Sequence, residues 1–368
     1  MASATRLQNV QCLRAVAALL VIAVHEPLFE ARLFGTSWIG WLRVPGGTGV
    51  DLFFVISGFI MVTTMWSAFG GAGAARTFLA RRIERIYPLY WLVTTAYLAL
   101  HFALPAAVGL DPATPLDVAA SYLLAPHGKD PVLVVGWTLQ FEMAFYLVFT
   151  LALLFPRSRL PVVLGGWALA TLACAAVAAR APSAALSFLG SPLIFEFLVG
   201  AGIGAVVASR RIVAPLALLV AGAAGVAAVF AYTSPLAALP LPWFRALAVA
   251  PPMALVLAGA VGLELRGGWT GPAWLARIGD ASYSLYLSHG LGLGAVAVVA
   301  ERLRIGGPAA HAAFVLCSYG AVVAVALALY RWVERPLLRR LHRFTRAGAP
   351  RVPAAATAHP AIAAPGLR

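Results

Sequence analysis

The sequence has few charged side chains and very few acidic ones. Only 11% of its 368 residues are charged, 13 residues are acidic, and 62% are hydrophobic. A soluble globular domain is about one quarter charged and less than half apolar. Too few polar side chains are therefore present to cover a water-exposed globule of this size, and a soluble enzyme is excluded. A polytopic membrane protein remains, and the short alternating segments of a transmembrane barrel are also missing.

Several common signatures of catalysis and metal binding are missing as well. The three cysteines, Cys12, Cys174 and Cys317, lie far apart within apolar runs, and their spacing indicates neither a disulfide framework nor a metal site. The sequence contains no nucleophile elbow, Walker loop, dinucleotide fingerprint or HExxH motif. The net charge of +14 does not indicate nucleic-acid binding, because the basic residues lie in short pieces between apolar runs. We expect no metal and no permanently bound cofactor.

Apolar runs of near 20 residues predict an all-α fold with about ten transmembrane helices. The predicted spans are 11–29, 49–66, 87–108, 132–155, 160–179, 186–208, 212–232, 244–263, 281–300 and 310–333. Residues 1–336 are predicted to form one transmembrane domain, and residues 337–368 a basic and then Ala/Pro-rich tail that we expect to be disordered. The Pro251-Pro252 pair is predicted to break or kink the eighth span.

Loop charge predicts that both termini lie in the cytoplasm, because basic residues concentrate in cytoplasmic loops. This orientation places 20 of the 27 basic residues on the cytoplasmic side. The loop 109–131 contains three aspartates and one lysine and is predicted to lie on the opposite side.

Arg14 and His25 are polar groups within the first span, where a charged group costs at least ~2.5 kcal/mol near the bilayer centre. They are eleven residues apart, about three helical turns or roughly 16 Å, which puts both on nearly one face. An arginine suits phosphate, and a neutral histidine accepts a proton near working pH. The alternative is a snorkelling arginine and a histidine satisfied by a neighbouring helix. For His25, which Glu26 follows, we favour a functional role.

Charged residues also mark the second span and the segment before the third. Asp51, in the run GVDLFFVISGF, either orients His25 or caps a helix N-terminus, and the sequence alone favours capping. Arg82 and Arg85, in the run RRIERIYPLY, lie one turn apart and suit an anionic cofactor or lipid headgroups. They equally fit a positive-inside cluster that needs no ligand, which is the simpler interpretation.

Three carboxylates occur within or beside later spans. Glu142 lies inside an apolar run with Tyr146 one turn further on, and a buried carboxylate is neutral or paired. We favour a functional role for Glu142 and leave the role of Glu196 open. Glu334, in the run RWVERP, is predicted to pair locally where Pro336 ends the last helix.

A polar stripe begins the ninth predicted span. Ser282, Tyr286 and His289 recur at i, i+4 and i+7 on one helix face. Such a stripe either lines a cavity or forms hydrogen bonds between helices. The remaining histidines lie alone and are interpreted as structural; they are His101, His127, His311, His342 and His359.

Five motifs follow one another from Leu7 to Pro336. They are an Arg and a His with ten residues between them, then GVDLFFVISGF, RRIERIYPLYW, WTLQFEMAFYL and ASYSLYLSH. Together they resemble the acyltransferase 3 family of integral-membrane acyltransferases, in particular the branch that decorates bacterial exopolysaccharides. That family often has a Leu-Asp-Gly-Leu-Arg type of run where this chain has LQNVQCLR, so no role is assigned to Gln11 or Cys12.

The resemblance implies ten transmembrane helices and transfer of an acyl group, usually acetyl, from cytoplasmic acyl-CoA to a carbohydrate hydroxyl. The positions that match the family's motifs are Arg14 and His25 in the first span, Arg82 and Arg85 in the cytoplasmic arginine motif, and Trp137 and Glu142 in the fourth span.

The resulting hypothesis is a multi-pass O-acyltransferase of the bacterial inner membrane, in contact with membrane lipid. Its predicted donor is acetyl-CoA, bound by Arg14, Arg82 and Arg85, and its acceptor is an exopolysaccharide or a lipid-linked precursor. His25 either removes the hydroxyl proton or carries the acyl group, and Glu142 with Asp51 orients His25 or the sugar. The predicted substrate contacts are Trp137, Tyr146, Ser282, Tyr286 and His289.

Two other classes of protein would also bury polar groups in a membrane. A flippase for a lipid-linked sugar would place them along a polar path, but transporters commonly show interrupted spans in two related halves. Only the eighth span is interrupted here, which counts against this class. A non-catalytic subunit of a polysaccharide assembly would use the same groups to hold helices together.

Overall fold

The computed structural model describes residues 7–38, 47–103, 114–209, 211–231 and 241–347. Every regular element in these ranges is helical, which confirms the predicted fold class. In chain order the helices are α1 (Gln8–Phe34), α2 (Thr48–Met65), α3 (Ala72–Ala103), α4 (Pro115–Leu123), α5 (Gly136–Ala152), α6 (Leu160–Ala178), α7 (Ala184–Leu189), α8 (Ile194–Ala208), α9 (Pro215–Ala231), α10 (Leu241–Phe244), α11 (Ala250–Leu265), α12 (Ala273–Asp280), α13 (Ser282–Arg302), α14 (Pro308–Leu329) and α15 (Arg335–Ala347).

Within the described ranges, seven helical stretches are long and apolar enough to cross a bilayer. They are Gln8–Phe34, Thr48–Met65, Arg157–Ala178, Ala184–Ala208, Pro242–Leu265, Ser282–Arg302 and Pro308–His342. The other predicted spans fall on α3, which begins with a charged half, and on α5 and α9, which have 17 residues each. A count of ten spans and the cytoplasmic position of both termini stay predictions.

Two π-helical stretches interrupt the long helices. One covers Arg245–Val249, immediately before Pro251 and Pro252 in the first turn of α11. The predicted irregularity of the eighth span is therefore present, and the prolines lie where their missing N–H groups are tolerated. The second stretch, Tyr330–Glu334, joins α14 to α15. As far as the structure describes the predicted tail it is helical, up to Ala347, because residues 335–347 are mostly arginine and leucine, which favour helix.

Glycines bring α2 and α8 into close contact. A methyl group on Gly58 would overlap the backbone of Phe197, and one on Gly200 would overlap the backbone of Val55. Small residues at such positions allow two membrane helices to approach at backbone distance. This seam fixes α2, and with it the polar residues that α2 contributes to the site.

Aromatic rings fill the space between α2, α5 and α8. Phe197 stacks on Phe54 at a centroid distance of 4.4 Å and on Phe145 at 4.0 Å. All three rings are buried. Stacked rings of this kind add packing specificity beyond the area that they bury, so α5 is held against α2 with a defined face toward the bundle.

The N-terminus of α1 is capped by a distant carboxylate. Glu264, at the end of α11, accepts hydrogen bonds from the backbone N–H groups of Gln8 at 2.7 Å and Asn9 at 2.8 Å. The Asn9 side chain donates to the backbone oxygen of Ala260 at 2.7 Å. The first N–H groups of a helix have no partner within the helix, and negative charge near them is favourable. The cap therefore fixes the start of α1, two turns before Arg14.

The short helix α4 lies between α3 and α5 and is held by Asp117. Thr114 and Asp117 form a reciprocal capping box, and Lys129 and His127 also contact the Asp117 carboxylate at 3.0 and 3.1 Å. These contacts, with the Thr114 backbone N–H foremost, hold the pKa of Asp117 well below its ordinary value. The carboxylate thus orders the segment that leads into α5.

Candidate active site

A cavity of about 280 Å³ lies among α1, α2, α3, α5 and α13. Its lining combines apolar walls with charged and hydroxyl groups. Seven of the eleven predicted site residues line it: Arg14, Arg82, Arg85, Glu142, Tyr146, Ser282 and Tyr286. The other four, His25, Asp51, Trp137 and His289, are not on the lining. Polar residues from four helices that are distant in sequence therefore meet in one chamber, as expected for a binding site between helices.

Two of the arginines on the lining make no direct ion pair with any residue that the structure describes. The Arg14 guanidinium donates to the side-chain oxygen of Gln11 at 3.1 Å. The Arg82 guanidinium lies over the rings of Phe78 and Tyr146, at 5.1 and 5.3 Å. Within the described parts of the chain neither makes an ion pair with a carboxylate. Their donors are available to an anionic ligand, and an arginine fork suits phosphate.

Arg85 differs from Arg14 and Arg82, because Glu334 pairs with it. Arg85 donates to one oxygen of Glu334, and the Ser284 hydroxyl donates to the other at 2.5 Å. The Arg85 guanidinium also lies over the ring of Tyr283 at 5.2 Å. The local pairing predicted for Glu334 is wrong, since its partner lies 249 residues earlier in the sequence. The clue in the sequence is that Glu334 is the only acidic residue after Glu301.

Glu142 is the one carboxylate among the residues that line the cavity. One of its oxygens accepts hydrogen bonds from the Tyr146 hydroxyl and from the Ser57 hydroxyl, the latter at 3.1 Å. Ser282 adds a buried hydroxyl that has no hydrogen-bond partner in the described structure. The chamber therefore offers an acceptor, several hydroxyls and two unpaired cations to one bound molecule.

His25 lies beside the cavity rather than on its lining. Its ring is half-buried, and its centroid lies 5.0 Å from that of His289. The ring of Tyr286, which does line the cavity, lies 6.0 Å from that of His289. The Tyr286 hydroxyl is held by the backbone oxygen of Val135 at 2.9 Å and by the Thr138 hydroxyl at 2.8 Å. The expectation that Arg14 and His25 face one shared chamber is met by Arg14 only.

The hydrogen bonds of the two imidazoles identify the nitrogen that carries the proton. Nδ1 of His25 lies 2.8 Å from the backbone oxygen of Val21, and Nδ1 of His289 lies 2.7 Å from that of Tyr286. A carbonyl oxygen accepts only, so each Nδ1 is the donor. In the neutral rings Nε2 is consequently the basic nitrogen.

Asp51 has a different partner from the ones expected. It lies in the first turn of α2, where its Oδ2 has no hydrogen-bond partner in the described structure, and its Oδ1 accepts from Arg245 Nε at 2.7 Å. Both side chains are buried, and the guanidinium lies 5.5 Å from the centre of the Trp137 ring. Asp51 is therefore paired with Arg245 instead of orienting His25. The sequence prediction put Arg245 at the start of the eighth span, 244–263, and assigned it no role in the site.

Two further acidic residues, Glu196 and Glu30, are buried. Glu196, which the sequence left open, is fully buried and interacts electrostatically with Asp51 and Arg245. Near the far end of α1, Glu30 pairs with His311 at 2.8 Å, and His311 stacks against Phe34. The structural interpretation of His311 is consistent with these contacts, which tie α14 to α1.

Comparison with known proteins identifies the class. A family model described as an acyltransferase domain, that of acyltransferase 3, matches residues 7–331. The chain belongs to this family. Among characterised proteins it is similar to the exopolysaccharide production protein ExoZ of Rhizobium meliloti (strain 1021), with 38% identity over 306 residues, which cover 80% of this chain and 90% of that protein. No solved structure matches the chain.

Proposed function

We propose that the protein is an inner-membrane O-acyltransferase that moves an acyl group, acetyl in the simplest case, from cytoplasmic acyl-CoA to a carbohydrate hydroxyl of an exopolysaccharide or its lipid-linked precursor. The observation that carries the proposal is the chamber with two unpaired arginines, Arg14 and Arg82, beside a carboxylate and several hydroxyls. Family membership supports acyl transfer, and the similarity to ExoZ supports the exopolysaccharide acceptor.

In the proposed donor complex, Arg14 and Arg82 bind the phosphates of CoA by charge-assisted hydrogen bonds. The thioester arm extends into the chamber toward Glu142 and Tyr286. Apolar walls such as Phe53 and Phe54 exclude water there, which protects the thioester from hydrolysis. Arg85 stays paired with Glu334 and shapes the chamber wall.

Transfer then uses the basic Nε2 of His25. In direct transfer, Nε2 removes the proton of the acceptor hydroxyl while that oxygen attacks the thioester carbonyl; the C–S bond breaks, and the thiolate regains a proton from the imidazolium. In the covalent route, Nε2 attacks the carbonyl first, the C–S bond breaks and coenzyme A leaves as the thiolate. The sugar hydroxyl then attacks the acyl-imidazole, the C–N bond breaks, and the hydroxyl proton passes to the thiolate. Either route requires the chamber to open toward the two imidazoles, because neither His25 nor His289 is on its lining, whereas Tyr286 is, with its ring 6.0 Å from that of His289.

The test uses purified protein in lipid nanodiscs with radiolabelled acetyl-CoA and an oligosaccharide acceptor. His25→Ala should lower label transfer by at least about 100-fold, the usual size of a general-base contribution. The control is His101→Ala, which removes an imidazole near the end of α3. Transfer by His25→Ala at the rate of wild type would remove His25 from the mechanism. If the wild-type protein does not bind acetyl-CoA, the acyltransferase proposal fails and a flippase becomes the better account.

A further inference from the structure

The last apolar helix is longer than a bilayer is thick. α14, the π-helical stretch and α15 follow one another without a break from Pro308 to Ala347. At about 1.5 Å per residue, a hydrocarbon core of about 30 Å accommodates roughly 20 of these residues. The start of α14 is apolar and its continuation α15 is basic. α15 therefore lies outside the hydrocarbon, at a membrane surface.

The sequence of α15 is amphipathic and carries charge of one sign. It contains five arginines and one histidine and no acidic residue. At 3.6 residues per turn the arginines fall within an arc of about 140°, and the four large apolar residues fall within about 120° on the opposite side. The apolar residues are Leu337, Leu338, Leu341 and Phe344. A helix of this type lies in the interface of an anionic membrane.

Three arginines of α15 are exposed on its basic side. Arg335, Arg339 and Arg340 are exposed and make no ion pair with the residues that the structure describes. α15 also packs against α3, and among these contacts His342 lies 3.6 Å from Glu84. None of the three arginines lines the chamber, so they are not placed to hold the donor.

An aromatic residue marks the depth of the helix in the membrane. Trp332, in the π-helical stretch just before α15, is 71% exposed. Tryptophan concentrates at the boundary between hydrocarbon and headgroups because its ring is apolar and its N–H is polar. Trp332 therefore places the start of α15 at headgroup level, where phosphates are within reach of the arginines.

We propose that α15 is a docking element for anionic phospholipids of the adjacent leaflet. Its arginines bind headgroup phosphates, while the exposed Trp332 faces the hydrocarbon boundary and the half-buried leucines pack toward the protein. The inference does not depend on the catalytic proposal, since it rests on the length, charge and exposure of α15 alone.

The experiment measures amide hydrogen exchange of residues 335–347 in the full-length protein. Nanodiscs of phosphatidylcholine are compared with nanodiscs in which about 30% of the lipid is phosphatidylglycerol, and both leaflets are identical, so the result does not depend on orientation. Each arginine near an anionic surface strengthens binding by a factor of about five. We expect exchange to slow at least tenfold in the anionic nanodiscs, and the effect to shrink in 0.5 M salt because of screening.

The variant Arg339→Gln/Arg340→Gln should lose most of this lipid-dependent protection, by a factor of about 25. The matched control is Arg302→Gln/Arg304→Gln, which removes two exposed arginines at the C-terminal end of α13. This variant should keep the slow exchange of α15 in the anionic nanodiscs. Unchanged exchange in α1 shows that a variant is folded. Equal protection in both lipids, or a full lipid effect in Arg339→Gln/Arg340→Gln, would overturn the proposal. So would protection that arises only when coenzyme A is added, because α15 would then bind the donor.

Discussion

The pairing of Arg85 with Glu334 leads to a quantitative prediction for the variant Glu334→Gln. The substitution keeps the shape of the side chain but removes the charge that Arg85 faces and one acceptor of the Ser284 hydroxyl. Removing one partner of a buried ion pair typically costs 3–5 kcal/mol. The Arg85 side chain is 25% exposed, so water partly compensates the guanidinium. We therefore expect a loss of about 3 kcal/mol in the free energy of unfolding.

The reverse change, Arg85→Met, should cost more. It leaves the Glu334 carboxylate, which is only 1% exposed, without its cation. Such a group has no access to water, so we expect about 4–5 kcal/mol. In the double variant both charges are absent, so neither is left buried without its partner. The double-mutant cycle should therefore give a coupling energy of about 2–3 kcal/mol.

The assay is reversible denaturation in mixed micelles, followed by tryptophan fluorescence, for wild type, both single variants and the double variant. A second cycle on Arg32 and Glu301 is the matched control. That pair lies at 3.1 Å, but its side chains are 58% and 41% exposed, so its coupling energy should stay below about 1 kcal/mol. A coupling energy for Arg85 and Glu334 that is no larger than this control would refute the argument that burial makes the pair important.

Two further predictions concern the donor and the loop helix. Arg82→Ala should raise the KM for acetyl-CoA by about 10- to 100-fold with little change in kcat, because a charge-assisted hydrogen bond to phosphate is lost; the exposed Arg81→Ala is the control, and an unchanged KM would show that Arg82 does not hold the donor. Asp117→Asn should speed amide exchange in α4 at pH 7. Because the pKa of Asp117 is lowered in the folded protein, its stabilising effect is present above the ordinary pKa of about 4 and is lost as the pH falls through the lower, folded value. Wild type and variant that exchange equally at pH 7 would contradict this role.

The chamber was largely predictable, because charged residues inside apolar runs are costly and therefore informative. Arg14 and Glu142 are predicted on this ground, and both line the chamber; Arg82, which also lines it, is predicted from the run RRIERIYPLY and the family resemblance instead. Helical periodicity likewise placed Ser282 and Tyr286 on one face. These inferences use only local sequence, and local sequence decides both which residues are helical and which face each of them occupies.

The partners of the buried charges were not predictable in the same way. Arg245 lies 194 residues from Asp51, and its position at the start of the eighth predicted span gives no sign of that partner. Periodicity places His25 on a face of α1, but it does not reveal that His25 lies next to His289 and off the lining of the chamber. Such contacts depend on how helices pack, which a single sequence does not encode in any local pattern.

The position of Tyr286 also has a consequence for proton leakage across the membrane. A bacterial membrane holds a proton gradient that a standing aqueous pore would discharge. The Tyr286 hydroxyl is held by Thr138 and Val135, and the Phe53 ring lies 6.1 Å from that of Tyr286. We expect the proposed donor to enter the chamber from one side and to meet these rings. In the proposed cycle an acyl group passes these rings without a continuous column of water. Acyl transfer across the membrane therefore does not dissipate the proton gradient.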